Sequence, residues 1–333
     1  MSKVTNQHYV PQNYLMNFTN SKGHLYVFDK TTKKSPFPTS PRNVASERYF
    51  YDIDPEVLEH IPDDFDEQFI EKNFSKMEGE LNNLIKNIKL RYSMGMNSLY
   101  QSAIVTDEER VSFSIQISMQ MLRTADFRNF IINTQKTLRQ TMIDLIGVSE
   151  IEGYQPGDVM TQLDPKFETI EHLRFMFNQP YLDSLKLGLV ENFIWIIGVN
   201  QTDQPFFTSD NPVVRNSHAK ENEARSYQGV FSPGMEIVYP LTSKLILTLF
   251  ERRSFANISK WDNCFIPLTD VENVTYYNSL QVLQSSKQIY CQEDKFELIQ
   301  QMIKKEPNIL KKREHELISN SPLLQQRRRR KRK

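Results

Sequence analysis

Glycine is scarce in this chain, with 10 residues in 333. Phosphate-cradling loops depend on it, because a missing Cβ lets backbone N–H groups approach an anion. The sequence has no Gly-x-x-x-x-Gly-Lys-Ser/Thr segment, no Gly-x-Gly-x-x-Gly after a strand and no Gly-x-Ser-x-Gly elbow. P-loop ATP hydrolysis, dinucleotide redox chemistry and serine hydrolysis therefore lose support. Cysteine is limited to Cys264 and Cys291, which excludes a disulfide framework and any Cys-x-x-Cys metal site. The six histidines, His8, His24, His60, His172, His218 and His315, form no close pair, so no zinc site is expected. Long apolar runs are lacking too. The longest, residues 193–199, falls far short of the roughly 20 residues of a membrane helix. Residues 1–7 are polar and carry no signal-type stretch, so a cytoplasmic location is expected. On that footing the Asn-x-Ser/Thr sites at Asn17, Asn73, Asn257 and Asn273 are read as chance.

What is present is a globular composition: 39% apolar, 25% charged, with 21 Phe and 14 Tyr to fill a core. At this length one large domain or two ordinary ones are open. The formal net charge of zero conceals an asymmetry. Arg327, Arg328, Arg329, Arg330, Lys331, Arg332 and Lys333 close the chain as an unbroken basic run. Without these seven, 34 basic residues face 41 acidic ones, so the body carries about −7. Nucleic acid or another polyanion is then a partner for the tail, through counterion release. Acidic lipid, an acidic protein and a solvated tail with no task stay open beside it.

Periodicity places the elements. Residues 64–90 carry Phe65, Phe69, Ile70, Phe74, Met77, Leu81, Leu84, Ile85 and Ile88 at helical spacing. Thr106 and Glu109 have the capping-box form and open a helical pattern running to about residue 146. A break near Thr124-Ala125 is open, and Gly147 is placed to end the helix. Residues 166–188 read as a third helix, with Pro180 an interruption. After that the character changes. Residues 193–199, 205–208, 237–239 and 245–250 are strand-like, 271–286 helical, 289–291 a strand and 295–305 an amphipathic helix. The order predicts an α+β fold: a central block of long helices packed with a mostly antiparallel sheet, drawn from the C-terminal half and an N-terminal strand at 24–29. Residues 1–292 are expected to form one domain, helical at about 64–188 and strand-rich at about 190–292. A helical segment at 293–318 and a disordered basic tail at 319–333 follow.

The opening His8-Tyr9-Val10-Pro11-Gln12, with Tyr14-Leu15, Phe18 and then Leu25-Tyr26-Val27-Phe28-Asp29, resembles the family called domain of unknown function 4238. Gln120 with Arg123-Thr124, the turn Thr208-Ser209-Asp210-Asn211-Pro212, Tyr239-Pro240-Leu241-Thr242, Asn278 and Ile289-Tyr290 fit the same pattern, so the resemblance spans about residues 8–292. Many members have Pro where this chain has Ala125, a change that would let the long helix run on. An aromatic often follows the Gln, where this chain has Asn13. The resemblance implies a fold of its own and no established reaction.

Three residues from separate segments suit an active site. His8 titrates near neutrality and serves as acid or base. Arg123 offers a planar fork for phosphate or carboxylate. Asp210, just after a strand, would orient His8. Tyr9, Gln12 and Gln120 are the expected substrate-side hydrogen-bonders. Together they suggest a phosphodiesterase or nuclease acting on a phosphate-containing or nucleic-acid substrate, with a bacterial defence setting as the accompanying expectation. Two alternatives stay open: a non-enzymatic recognition or scaffold protein in which the same residues fasten the N-terminus, and a nucleic-acid binder acting through its tail alone. No metal or other cofactor is called for, although Mg²⁺ held by carboxylates needs no short motif. Cys264 and Cys291 are expected to be inert core thiols.

Overall fold

The structure is a computed structural model that describes residues 5–32, 34–59, 69–94, 104–218 and 229–310. The fold is α+β. Two short helices, α1 (Gln12–Leu15) and α2 (Pro55–Leu58), lie in the N-terminal region. The helical block comprises α3 (Phe69–Ser93), α4 (Asp107–Leu122), α5 (Ala125–Glu150), α6 (Glu168–Met176) and α7 (Gln179–Asn192). Two later helices are α8 (Val271–Gln284) and α9 (Glu297–Lys305). Within α3, Phe74, Leu81, Leu84, Ile85 and Ile88 are buried, the stripe that the spacing predicts. Residues 60–68, with Asp63 and Asp64, either of which could cap this helix by sequence, lie outside the described residues.

The long pattern after Thr106 is two helices. Thr106 and Glu109 cap α4 reciprocally. Thr124 then leaves helical geometry (φ −73°, ψ 155°) and its hydroxyl accepts the N–H of Phe127, opening α5. A threonine cap thus breaks the chain without the proline. Gly147 does not end α5, which continues to Glu150. Its missing Cβ makes room instead for the Tyr154 ring, whose atoms would lie 2.6 Å from a Cβ placed there. Between α6 and α7 the chain restarts at Asn178, whose side chain accepts the N–H of Tyr181. Pro180 sits in the first turn of α7, where its missing N–H costs nothing.

The strands form three sheets rather than one. β5 (Phe193–Asn200), β7 (Val214–Ser217), β8 (Met235–Pro240), β9 (Leu245–Glu251) and β10 (Cys264–Leu268) make a five-stranded sheet in the order β10-β5-β9-β8-β7. It is antiparallel except for the parallel β10–β5 pair. β5 is buried along its whole length, which explains its uninterrupted apolar run. A four-stranded sheet joins the two ends of the chain: β3 (Phe37–Thr39), β2 (Leu25–Asp29), β11 (Gln288–Cys291) and β6 (Thr208–Ser209), in that order. The N-terminal strand therefore pairs with the C-terminal half, antiparallel to β11. β1 (Asn6–His8) and β4 (Ser46–Arg48) form a separate two-stranded pair. A single large apolar core spans the N-terminal segment, the helices and the five-stranded sheet. α9 seats Ile299 and Met302 in a smaller cluster with Phe207, Val282 and Ile289. Among the described residues no helix is long and apolar enough to cross a membrane.

Candidate functional site

The segment 7–12 leaves β1 and enters α1, and the backbone carbonyls of His8 and Tyr9 in it are held from α4. Arg123, the last-turn cap of α4, donates through Nη2 to the His8 carbonyl (2.7 Å) and to Glu78 Oε1 on α3 (3.1 Å). Its guanidinium lies 4.1 Å from the centre of the Phe74 ring, a cation–π contact. The Arg123 carbonyl accepts the Tyr51 hydroxyl (3.1 Å). Gln120, one turn earlier on α4, donates to the Tyr9 carbonyl (3.1 Å). Gln12 meets His8 Nδ1 at 3.3 Å. Burial pushes the His8 imidazole below its ordinary value, and the Arg123 charge adds to that. Its Nε2 is buried with no partner among the described residues, as are Arg123 Nε and the Tyr239 hydroxyl.

Asp210 follows β6 and faces a different task from the one expected of it. Oδ1 accepts the N–H of Ser286 (2.8 Å), and Oδ2 accepts those of Lys287 (2.6 Å) and Gln288 (3.1 Å). Both carboxylate oxygens are thus committed to the turn between α8 and β11, and His8 Nδ1 has Gln12 for its neighbour instead. Burial nonetheless pushes the Asp210 carboxyl up to about 6 against the pull of these three N–H groups. The rest of the turn is tied in the same way. Ser209 Oγ donates to Gln281 Oε1 (2.7 Å), Gln281 donates to the Pro212 carbonyl (2.8 Å), and Asn278 bridges the Phe207 N–H and the Pro205 carbonyl. Tyr14 donates to the Pro240 carbonyl (2.6 Å) and lies 2.7 Å from the Thr208 hydroxyl.

The fold therefore gathers His8, Tyr9, Gln120, Arg123 and Asp210 around one region: Arg123 bonds directly to segment 8–9, and the Asp210 charge acts on the Tyr9 hydroxyl. It also seals most of them. Tyr9, Gln120, Arg123 and Asp210 keep 5%, 2%, 3% and 3% exposure, while His8 is half-buried and Gln12 exposed. Arg123 spends Nη2 on a carbonyl and a carboxylate, and at 3% exposure its guanidinium offers a phosphate no open face.

A cavity of about 290 Å³ opens beside this lock. Its apolar wall includes Phe127, Phe130 and Leu185, and Thr124, Asp126, Asn211 and Arg215 contribute polar groups. Thr124 adjoins Arg123 and Asn211 adjoins Asp210, so two segments of the sequence pattern meet at its rim.

A further constellation escaped the sequence reading. His218 Nε2 lies 2.7 Å from Glu236 Oε2, and the Tyr276 hydroxyl donates to the same oxygen (2.6 Å). Glu236 is 1% exposed, while the His218 side chain is 40% exposed. Its hydrogen bond to that carboxylate raises the imidazole above its ordinary value. The two residues are 18 apart in sequence and meet only because β7 pairs with β8; a glutamate beside the apolar run of β8 was the one available signal. Among the described residues no group of three His, Cys, Asp or Glu side chains gathers to hold a metal. Burial raises both thiols, that of Cys291 up to about 12; Cys291 is a core cysteine, whereas Cys264 is half-buried rather than in the core. Residues 327–333, the proposed polyanion contact, lie outside the described residues.

An α+β chain whose N-terminal segment is bolted to a helical block and to a C-terminal turn is the class these observations define. The chain belongs to the family described as Protein of unknown function (DUF4238), whose model matches residues 6–295. No curated protein and no solved structure matches it.

Proposed function

We propose that this protein is a non-enzymatic recognition module, in which the His8–Arg123–Asp210 region is an internal lock and the adjoining cavity takes the ligand. The observation carrying this reading is the commitment of the lock: Arg123 Nη2 and both Asp210 oxygens are bonded to partners within the chain. A lock that orders Thr124 and Asn211 pre-organises the cavity between them, which lowers the entropic cost of binding. The cavity volume of about 290 Å³ sits at the lower end of small-molecule sites, and its lining favours a compact ligand with an apolar body and one polar end. Thermal-shift screening of such fragments tests it. Binding is expected for the unaltered chain and is expected to fall at least about tenfold in Val230→Trp, which fills the cavity from its half-buried wall. Equal affinity in that variant would move the ligand elsewhere.

One observation favours the enzymatic reading, on a phosphate-containing or nucleic-acid substrate. His8 Nε2, Arg123 Nε and the Tyr239 hydroxyl are buried without partners among the described residues, and a catalytic role is one of the explanations that such unpaired groups call for. RNA and DNA cleavage by the unaltered chain and by folded His8→Ala decides this. Turnover that vanishes in the variant supports His8 as the acid or base; equal turnover removes it.

A further inference from the structure

We infer that α5 carries a self-association surface, on which a second copy of this chain docks antiparallel through the helix's C-terminal half. The inference starts from length. α5 has 26 residues, about 39 Å of helix, whereas α6, which packs along it, has nine. Contacts between the two run from Arg128–His172 through Gln135–Glu171 to Lys136–Glu168. Beyond Lys136 the face that α6 covers continues without α6.

That continuing face is apolar. Ile131 is buried at 4% exposure, but Leu138, Met142 and Ile146, on the same side of the helix, are 53%, 62% and 57% exposed. The opposite side of this half is already occupied. Asp144 accepts the Tyr154 hydroxyl and the Gly157 N–H, the Tyr154 ring lies against Gly147, and Gln140 bonds to Val159 and Thr161. The half-helix is therefore held firmly from behind while its front is bare. Scattered exposed apolar side chains need no explanation, whereas a stripe continuous with the core does.

Charge selects the occupant. Arg139 and Glu150 are exposed and lie on one flank of the stripe, near its two ends. In an antiparallel pair related by a two-fold axis, like flanks face each other. An axis passing near residue 144 sets Arg139 of one copy opposite Glu150 of the other, twice over, while the two stripes meet between them. A parallel two-fold pair would put these flanks on opposite sides of the contact, where the charges do not meet. The surface is its own complement, which is what an isologous contact requires. The contact is small beside the roughly 800 Å² per partner of a standard interface, so a transient, concentration-dependent dimer is expected.

Sedimentation velocity on the full chain from about 1 to about 200 µM tests this in the range of weak association. The expected result is a rise toward twice the monomer mass with concentration, lost in Met142→Glu. Arg139→Glu and Glu150→Arg are each expected to weaken association at least about threefold, and the double variant to restore it. All three positions are exposed, so the variants keep the fold. A chain that stays monomeric throughout, a dimer indifferent to Met142→Glu, or a double variant no better than either single one overturns the proposal.

Discussion

Lys30 and Asp210 grip opposite sides of one turn. Lys30, buried at 6% exposure, donates through Nζ to the carbonyls of Val282 and Ser285 at the end of α8, while Asp210 accepts the N–H groups of the next three residues, 286–288. A buried charge is tolerated only when its bonding capacity is met. Here the cation takes the orphan carbonyls of a helix end and the anion takes the orphan amides that follow. The pair joins β2 and β6 to the α8–β11 connection, so it holds the strands from both ends of the chain in the four-stranded sheet.

Asp210→Ala is expected to destabilise the fold by about 3 kcal/mol, because three N–H groups, one buried and two part-buried, lose their acceptor. Asp210→Asn, which keeps one oxygen and turns an N–H₂ group toward donors, should lie between Ala and the unaltered chain. Urea unfolding monitored by circular dichroism gives both values. An Ala variant within about 0.5 kcal/mol of the unaltered chain would show that the turn holds without the carboxylate.

Arg123 is expected to couple energetically to Glu78. Arg123→Ala should cost about 3 kcal/mol or more, since it leaves the His8 carbonyl and the Glu78 carboxylate without their donor and bares the Phe74 ring. Arg123→Lys keeps the charge but loses the planar contact with the ring, and should recover only part of that loss. A double-mutant cycle with Glu78→Gln is expected to return a coupling of about 1 kcal/mol; simple additivity would place the value of Arg123 in the His8 carbonyl and the ring instead.

His172 governs a pH dependence. It is fully buried, with Nε2 at 2.7 Å from the Leu122 carbonyl and Nδ1 accepting from Arg128, an arrangement that suits the neutral ring. Burial, with the Arg128 charge, brings its titration down to about 3. The unfolded chain, titrating near 6.5, binds this proton first as pH falls. The stability from the neutral ring is therefore fully present above about pH 6.5 and declines between 6.5 and 3, by about 1.4 kcal/mol per pH unit. Unfolding free energies at several pH values should show this slope reduced in His172→Gln. An unchanged slope would assign the acid sensitivity to other groups.

Gly147→Ala sets helix propensity against packing. In an open helix the change would stabilise by up to about 1 kcal/mol. Here the new Cβ meets the Tyr154 ring, which cannot retreat without straining its 3.0 Å bond to Asp144. A net loss of about 1 kcal/mol is expected. In a Tyr154→Ala background the same substitution should become stabilising, and calorimetry of the four variants reads the change of sign.

Much of the fold was legible because it depends on local rules. The capping box at Thr106, the α3 stripe and the buried run of β5 each follow from neighbouring residues. The break at Thr124 was visible as a choice, and only the observed cap decided it. Gly147 was misread as a helix end, because its actual reason, the Tyr154 ring, comes from a loop folding back. In the site, His8, Arg123 and Asp210 were singled out as residue types; the structure joins Arg123 to the His8 carbonyl and ties Asp210 to residues 286–288. Their exposure was not readable, since it depends on what else packs there. The His218–Glu236–Tyr276 group was invisible, because strand register and the seating of α8 bring it together.

The order of amino acids alone determined the α+β class, the positions of the long helices and the stock of polar groups available to a site, since periodicity, capping and composition act over a few residues. Only the tertiary structure decided how those groups were spent: Arg123 and Asp210 in holding the chain to itself, and one face of the far half of α5 left exposed. Burial and partnership are properties of segments far apart in the chain, and no local rule specifies them.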